Sequence, residues 1–285
     1  MSAISSASAS ASASASTSTA MAKTSVTPGQ LPLSTGVHDE RWRAPQPFAL
    51  PALKAVGDCA LLVEFGKHLT ADVGARVLQL DDALTRERIP GVIEAIVAYA
   101  TLLVIFDPVA IRYEHLRERL SELVSAPGRR HRSTRRFRVP VAYGDAFGLD
   151  IEDAAARLGM TQSDLISAHA GAEYTIAMFG FLPGFAYLTG LPSHIALPRR
   201  ATPRARIFSG SIAIGGAQTA IGSIEGPSGW NVIGRTPLRT FDAARFPASI
   251  FEPGDEIRFE AIPVDCFDDL AARANAGEVL AERIA

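Results

Sequence analysis

The chain has 285 residues, of which 47% are hydrophobic and 20% charged, and its formal net charge is −2. A nearly balanced charge provides no general electrostatic attraction to nucleic acid or to anionic membranes. No apolar run approaches the roughly 18–20 residues that are needed to span a bilayer. The two cysteines, Cys59 and Cys266, are far apart in the chain and suit a reducing compartment better than a disulfide framework, so we expect a cytoplasmic protein.

Residues 1–46 are predicted to be a disordered tail. Serine and alanine alternate from Ser6 to Ser16, and little in this segment could be buried to offset the loss of chain entropy. There is no basic start followed by an apolar core, so we predict no signal peptide. Met21 is a plausible alternative start of the protein.

Residues 47–126 are predicted to form a small α/β domain. Strands are indicated at 48–56 and 60–65, around a turn at Gly57–Asp58, and again at 92–97 and 102–106. Apolar residues at spacings of three and four indicate two amphipathic helices, one after each pair of strands. The residues of the first helix face are Leu69, Val73, Val77, Leu80 and Leu84, and those of the second are Leu116, Leu120, Leu123 and Val124.

The rest of the chain is predicted to be mostly strands. Residues 127–136 are arginine-rich and indicate a linker, although this charge could also bind an anion. Residues 137–263 combine short strands with Gly/Pro turns, which favours a closed or nearly closed β-barrel. Pro253–Gly254–Asp255 fits a type II turn, and Thr161 with Asp164 resembles a capping box. Residues 264–285 are predicted to hold a C-terminal helix, over Asp268–Arg283.

The stretch from Phe179 to Trp230 is the strongest candidate for a functional site. Glycines and prolines recur between short apolar runs, and a proline-punctuated loop carries four arginines, which are Arg199, Arg200, Arg204 and Arg206. Guanidinium groups can bind carboxylate or phosphate through paired hydrogen bonds. The segment therefore suits a small anionic ligand or a partner subunit. The alternative for each arginine is interface packing and salt bridging.

Four further residues in this stretch are candidates for the site. Gln218 follows two glycines and could offer a donor and an acceptor to a ligand, or could only stabilise a turn. Glu225 could act as a base or orient water, or be an ordinary surface carboxylate. Trp230 and Asn231 could form a ligand platform, with a core tryptophan as the alternative. We predict Glu225 and Gln218 as catalytic residues, and Arg199, Arg204, Asn231 and Trp230 as substrate-binding residues.

Generic catalytic motifs are absent from the sequence. There is no phosphate-binding GxxxxGK[ST] loop, and after Lys67 the chain contains no lysine at all. Ser223 is one place early for the nucleophile elbow G-x-S-x-G. The six histidines lack the spacing of metal ligands, so we predict no metal site within the chain.

Five segments together resemble the family of the bacterial 5-oxoprolinase B subunit, also labelled allophanate hydrolase subunit 1, which includes the kinase inhibitor KipI. They are Gly57–Gly66, Glu173–Leu191, Pro198–Arg206, Gly229–Leu238 and Pro253–Phe259. The resemblance implies an α+β protein, with a small α/β N-terminal domain followed by a cyclophilin-like β-barrel. Related domains form the carboxyltransferase part of biotin-dependent urea carboxylase.

The resemblance also implies a function. The chain would be a hydrolase subunit that acts with a sister barrel subunit and a LamB/YcsF-type third subunit to open 5-oxo-L-proline to L-glutamate. ATP, with Mg²⁺ possible, would be used at a site shared with these partners. The alternatives are a KipI-like inhibitor of a histidine kinase and a carboxyltransferase-type or allophanate-hydrolase-type subunit of urea or amide metabolism.

The sequence departs from the family pattern in the segment before Trp230. Family members usually read TGIYPVESPGGW, whereas this chain has Gly222 and Ser223 in place of the tyrosine and the proline. The change removes a hydroxyl and a ring from the expected pocket, so a related lactam or amide is an alternative substrate.

Overall fold

The computed structural model describes residues 51–67, 70–126 and 134–284. The predicted tail at 1–46, the first three residues of the first predicted strand (48–50), Leu69 of the first predicted helix face and residues 127–133 of the predicted linker lie outside the described residues. In the described part of the chain, no helix is both long enough and apolar enough to cross a membrane.

A small four-stranded sheet comes first. Its strands are β1 (Ala52–Val56), β2 (Ala60–Glu64), β3 (Val92–Val97) and β4 (Thr101–Phe106), and helices α1 (Ala71–Glu87) and α2 (Tyr113–Ser125) follow β2 and β4. The strands lie in the order β1-β2-β4-β3, and all neighbours are antiparallel. The predicted succession of strand, strand, helix, strand, strand and helix is confirmed.

One face of this sheet carries the core of the unit. Leu102, Val104 and Phe106 alternate along β4 and are buried, as the two-residue period of a strand requires. Leu116 and Leu120 of α2 are also buried in this core. The helices therefore cover one face of the sheet with the apolar stripes that the sequence predicts.

The second part of the chain is a closed β-barrel with helices around it. Its strands are β5 (Arg136–Tyr143), β6 (Glu173–Phe179), β7 (Ala186–Thr189), β9 (Ser211–Gly215), β10 (Gln218–Ile221), β12 (Asn231–Arg235) and β13 (Glu256–Ala261). They pair in the order β12-β9-β10-β7-β6-β13-β5, and β5 pairs with β12 to close the ring. The predicted α+β class and closed barrel are confirmed.

The remaining elements surround the barrel. Strands β8 (Arg204–Ile207) and β11 (Gly226–Ser228) form a separate two-stranded ribbon. Helices α3 (Ile151–Leu158) and α4 (Gln162–Ala170) follow β5, and α4 begins with the predicted capping box of Thr161 and Asp164. Gly254 has a φ of 89°, and the amide of Asp255 donates to the carbonyl of Glu252, as the predicted type II turn requires.

The predicted C-terminal helix is too long. Helix α5 covers Phe267–Asn275, and Gly277, with a φ of 97°, lies just beyond its end. The chain then returns as β14 (Glu282–Arg283), which pairs antiparallel with β5. A two-residue strand has no periodicity to read, so the sequence pattern could not reveal it.

A buried hydrogen-bonded histidine lies inside the barrel core. The Nδ1 atom of His169 is 2.8 Å from the Tyr143 hydroxyl, and its Nε2 atom is 2.9 Å from Oγ1 of Thr219. Thr219 donates its own hydroxyl to the Ala213 carbonyl, so it accepts from Nε2–H of a neutral imidazole. Burial lowers the pKa of His169 to about 3.

We expect the stability of the protein to fall as the pH is lowered through the ordinary range of histidine. The unfolded chain takes up a proton near pH 6.5, whereas folded His169 stays neutral down to about pH 3. The stabilisation is therefore fully present above pH 6.5 and is lost at lower pH, by about 2 kcal/mol between pH 7 and pH 5. Denaturant titrations at several pH values give the free energy of unfolding of the wild type and of His169→Gln. Only the wild type should lose this additional stability as the pH is lowered. An equal dependence of stability on pH in the two proteins would contradict the assignment of His169 as a buried neutral imidazole.

Candidate functional site

The small sheet and the barrel lie within one compact unit, Pro47–Ala285, and a cleft of about 1050 Å³ is lined by both. The small-sheet side includes Lys67, Thr70, Gly74, Leu78 and Tyr99. The barrel side includes Thr175, Thr189, Arg199, Gly215, Gly216, Ala217, Gln218, Gly254 and Glu256. A cleft of this size and mixed character is typical of a small-molecule site.

Of the four arginines in the predicted arginine loop, Arg199 is the one that lines this cleft. Its guanidinium carbon lies 5.6 Å from the ring centre of Trp230, which is 6% exposed. The Trp230 ring is in turn in edge contact with the ring of Tyr187, and the two ring centres are 5.7 Å apart. Among the described residues no carboxylate forms an ion pair with Arg199. The ring therefore supports a guanidinium whose charge is available to an anionic ligand.

Gln218 connects the two sides of the cleft. It begins β10, and its Oε1 atom accepts a hydrogen bond of 3.1 Å from the hydroxyl of Tyr99, which lies between β3 and β4. Burial raises the pKa of Tyr99 to about 12, so the phenol keeps its proton and acts as the donor. Because this bond uses the amide oxygen, the amide nitrogen of Gln218 is left to donate to a ligand.

Gly215 permits close packing beneath this site. A Cβ atom at Gly215 would lie 2.4 Å from the indole ring of Trp230. Next to it, Gly216 has a φ of 66°, a conformation that side chains rarely adopt. Gly215 therefore lets the chain pass close to the tryptophan that supports Arg199, and Gly216 allows the β9–β10 turn.

We expect Gly215→Ala to destabilise the protein by about 1–3 kcal/mol, because the methyl group would overlap a buried indole. Gly74→Ala is the matched control, since that glycine lies in helix α1 and a Cβ there meets nothing within 4 Å. The control should be neutral or stabilising by up to about 1 kcal/mol. Thermal unfolding of the two variants measures the difference, and equal stabilities would contradict the packing described.

Two other arginines of the loop hold it to the barrel. Asp150, 3% exposed, accepts hydrogen bonds from Nη1 of Arg200, from Nη1 of Arg204 at 2.6 Å and from the amide of Val232 at 2.8 Å. Arg204 thus has a buried carboxylate as its partner in this structure. Its predicted role in binding substrate stays a prediction.

Asn231 is fully buried and also has protein partners. Its amide nitrogen donates to the carbonyls of Pro198 at 3.1 Å and Ile214 at 3.0 Å, and its oxygen accepts from Arg157 at 3.1 Å. These bonds fix the chain just before Arg199. The structure therefore shows Asn231 in a supporting position, and its predicted contact with substrate stays a prediction.

Glu225 lies elsewhere. It forms an ion pair with Arg206 and lines a second cavity, together with Arg235 and Asp242, while Gln218 lines the cleft. The structure thus brings together Arg199, Trp230 and Gln218 of the six predicted site residues. It does not bring the two predicted catalytic residues, Gln218 and Glu225, into one cavity.

Sequence reasoning missed Lys67 and Tyr99 as residues of the cleft. Lys67 is the last lysine of the chain and lines the cleft from the segment between β2 and α1. Tyr99 occupies a short turn between two apolar strands, where turn-forming residues are expected. A large aromatic residue in such a turn is the signal that could have indicated an interface.

Comparison with known proteins agrees with the architecture and defines its class. Residues 51–251 match the family described as carboxyltransferase domain, subdomain C and D. The chain is 33% identical over 226 residues to the 5-oxoprolinase B subunit of Bacillus subtilis. This match covers 74% of this chain and 92% of the relative. It is 34% identical over 205 residues to the 5-oxoprolinase B subunit of Escherichia coli O157:H7, and this match covers 72% of this chain and 93% of the relative.

This chain therefore belongs to the carboxyltransferase subdomain C and D family, and these two 5-oxoprolinase proteins are its relatives. Among solved structures, TTHA0988 superposes with a TM-score of 0.66 at 30% identity, over 72% of this chain and 40% of that one. Urea amidolyase of K. lactis superposes with a TM-score of 0.63 at 17% identity, over 81% of this chain and 16% of that one. The second likeness concerns the fold alone.

Proposed function

We propose that this chain is one component of an ATP-dependent 5-oxoprolinase, which opens 5-oxo-L-proline to L-glutamate together with a sister barrel subunit and a LamB/YcsF-type subunit. The observation that supports it most is that one cleft is lined by both Arg199, which forms no ion pair with a described carboxylate, and the side-chain amide of Gln218. The substrate has matching groups, namely a carboxylate and a ring amide. The names of the relatives point to the same reaction.

In this proposal the cleft binds the substrate by its two polar ends. Arg199, held against Trp230, receives the carboxylate through paired hydrogen bonds. The free amide hydrogens of Gln218 donate to the lactam oxygen, and the Tyr99 hydroxyl holds the amide in that orientation. Gly216 carries no side chain and a Cβ there would meet nothing within 4 Å, so the ligand can approach the backbone at this position.

Opening a lactam requires an activated carbonyl. The described lining of the cleft contains threonines, but no serine or cysteine and no histidine that could activate a hydroxyl for a covalent route. Phosphorylation of the lactam oxygen by ATP, with ADP as the leaving group, would make the ring carbon more electrophilic, and the ammonium of Lys67 in the lining could stabilise charge on the transferring phosphoryl group. Glu256 is the carboxylate in the described lining, and it forms an ion pair of 2.5 Å with Arg136. A general base from a partner subunit fits this arrangement, so we propose that the complete site is shared between polypeptides.

Reconstitution tests the proposal. The chain is mixed with its sister subunits, and glutamate release from 5-oxo-L-proline is measured with and without ATP. We expect turnover only when ATP and every subunit are present. Absence of turnover from a mixture in which each subunit is folded would reject the function.

A further inference from the structure

A second cavity, of about 480 Å³, lies beside the end of β12 and helix α5. Its lining includes Ser223, Glu225, Arg235, Thr236, Asp242 and Ala271. None of these residues lines the cleft described above. The volume suits a small metabolite rather than a polymer.

Arg235 is held rigidly in the wall of this cavity. Its guanidinium carbon lies 5.1 Å from the ring centre of Phe208 and 5.1 Å from that of Phe267. Its Nε atom donates a hydrogen bond of 2.8 Å to the carbonyl of Ser209. With two rings and one carbonyl fixing it, the guanidinium keeps its two terminal nitrogens, which form a planar fork, for another partner.

The carboxylates that line the cavity form ion pairs with arginines other than Arg235. Glu225 forms an ion pair with Arg206, and Asp242 forms one of 3.4 Å with Arg239. In the described ranges no carboxylate lies within ion-pair distance of Arg235. Desolvation lowers the pKa of Arg235, and the carboxylates of Glu225 and Asp268 oppose this effect only in part. A partly buried, pre-oriented cation whose neighbouring carboxylates lie beyond ion-pair distance is favourable for a ligand carboxylate that can reach it.

We propose that this second cavity is a binding site for a small carboxylate ligand, with Arg235 as the residue that receives the carboxylate. A planar carboxylate matches the fork of the guanidinium. The lining holds two arginines, Arg235 and Arg239, and two carboxylates, Glu225 and Asp242, so it carries no excess of positive charge for a polyphosphate, and we favour a carboxylate over a phosphate ligand. This site is independent of the function proposed for the cleft.

Calorimetric titration of the full-length chain tests the proposal, with succinate and L-glutamate as carboxylate probes and inorganic phosphate and ATP as alternatives. Binding to the cleft is removed by working in an Arg199→Met background. In this background we expect at least one carboxylate probe to bind, at the second cavity. Arg235→Gln should weaken this binding at least about tenfold, because hydrogen bonds to a charged group are lost.

Two further variants keep the test decisive. Ala271→Phe fills the cavity from helix α5 without removing a contact of Arg235, and it should also abolish binding. Arg273→Gln, which removes an ion pair with Glu278 outside the cavity, should change nothing. No binding by either carboxylate, binding by phosphate or ATP alone, or binding that survives Ala271→Phe would each overturn the proposal. The Ala271→Phe result stands even if Arg235→Gln fails to fold.

Discussion

Asp150→Ala should lower the free energy of unfolding by about 3–5 kcal/mol, because it leaves the charges of Arg200 and Arg204 without their buried partner. The carboxylate also accepts a hydrogen bond from the amide of Val232, so the variant would leave this donor unsatisfied as well. Urea denaturation of the variant and the wild type measures the change.

Asp153→Ala is the matched control for this prediction. Asp153 lies one turn away in α3, and its ion pair with Arg157 is 3.3 Å long with 62% of the aspartate side chain exposed. Removing an exposed pair of this kind should change stability by less than about 1 kcal/mol. If the two variants were equally stable, the arginine loop would not be held through Asp150.

Arg199→Met should lower kcat/KM of the reconstituted complex for 5-oxo-L-proline by about 100-fold. The reason is that methionine keeps much of the side-chain length and loses the charge that we assign to the substrate carboxylate. Arg199→Lys should recover only part of the loss, since an ammonium keeps the charge but not the planar fork. Initial rates over a range of substrate concentrations give kcat and KM separately.

The control for this prediction is Arg206→Met. Arg206 belongs to the same loop but is 67% exposed, and its partner is Glu225 rather than any residue of the cleft. We expect this variant to retain the wild-type rate. A full rate in Arg199→Met, or an equal loss in both variants, would show that the position of Arg199 is unimportant for the reaction.

The elements that depend on local sequence were the ones that could be predicted. β3 has the predicted bounds, Val92–Val97, because an apolar run between two turns is a local signal. The capping box of Thr161 and Asp164 depends on two residues three positions apart. The family resemblance added support for the barrel closure, which local signals alone cannot show.

The contacts that form the site were beyond prediction, because each joins distant parts of the chain. Tyr99 and Gln218 are 119 positions apart, and nothing in either segment indicates the other. Asp150 lies 50 positions before Arg200 and reads in the sequence as an ordinary residue ahead of a helix. The arginine loop was recognised, but only the fold shows that Arg200 and Arg204 hold it in place while Arg199 lines the cleft.

The central claim is that ligand binds in the cleft between the small sheet and the barrel, at Arg199 and Gln218. A crystal structure of the assembled subunits with bound 5-oxo-L-proline tests it most directly. We expect the ligand carboxylate within hydrogen-bond distance of the Arg199 guanidinium and the ring amide next to Gln218. Ligand density at another place, with this cleft filled by protein from a partner subunit, would contradict the claim.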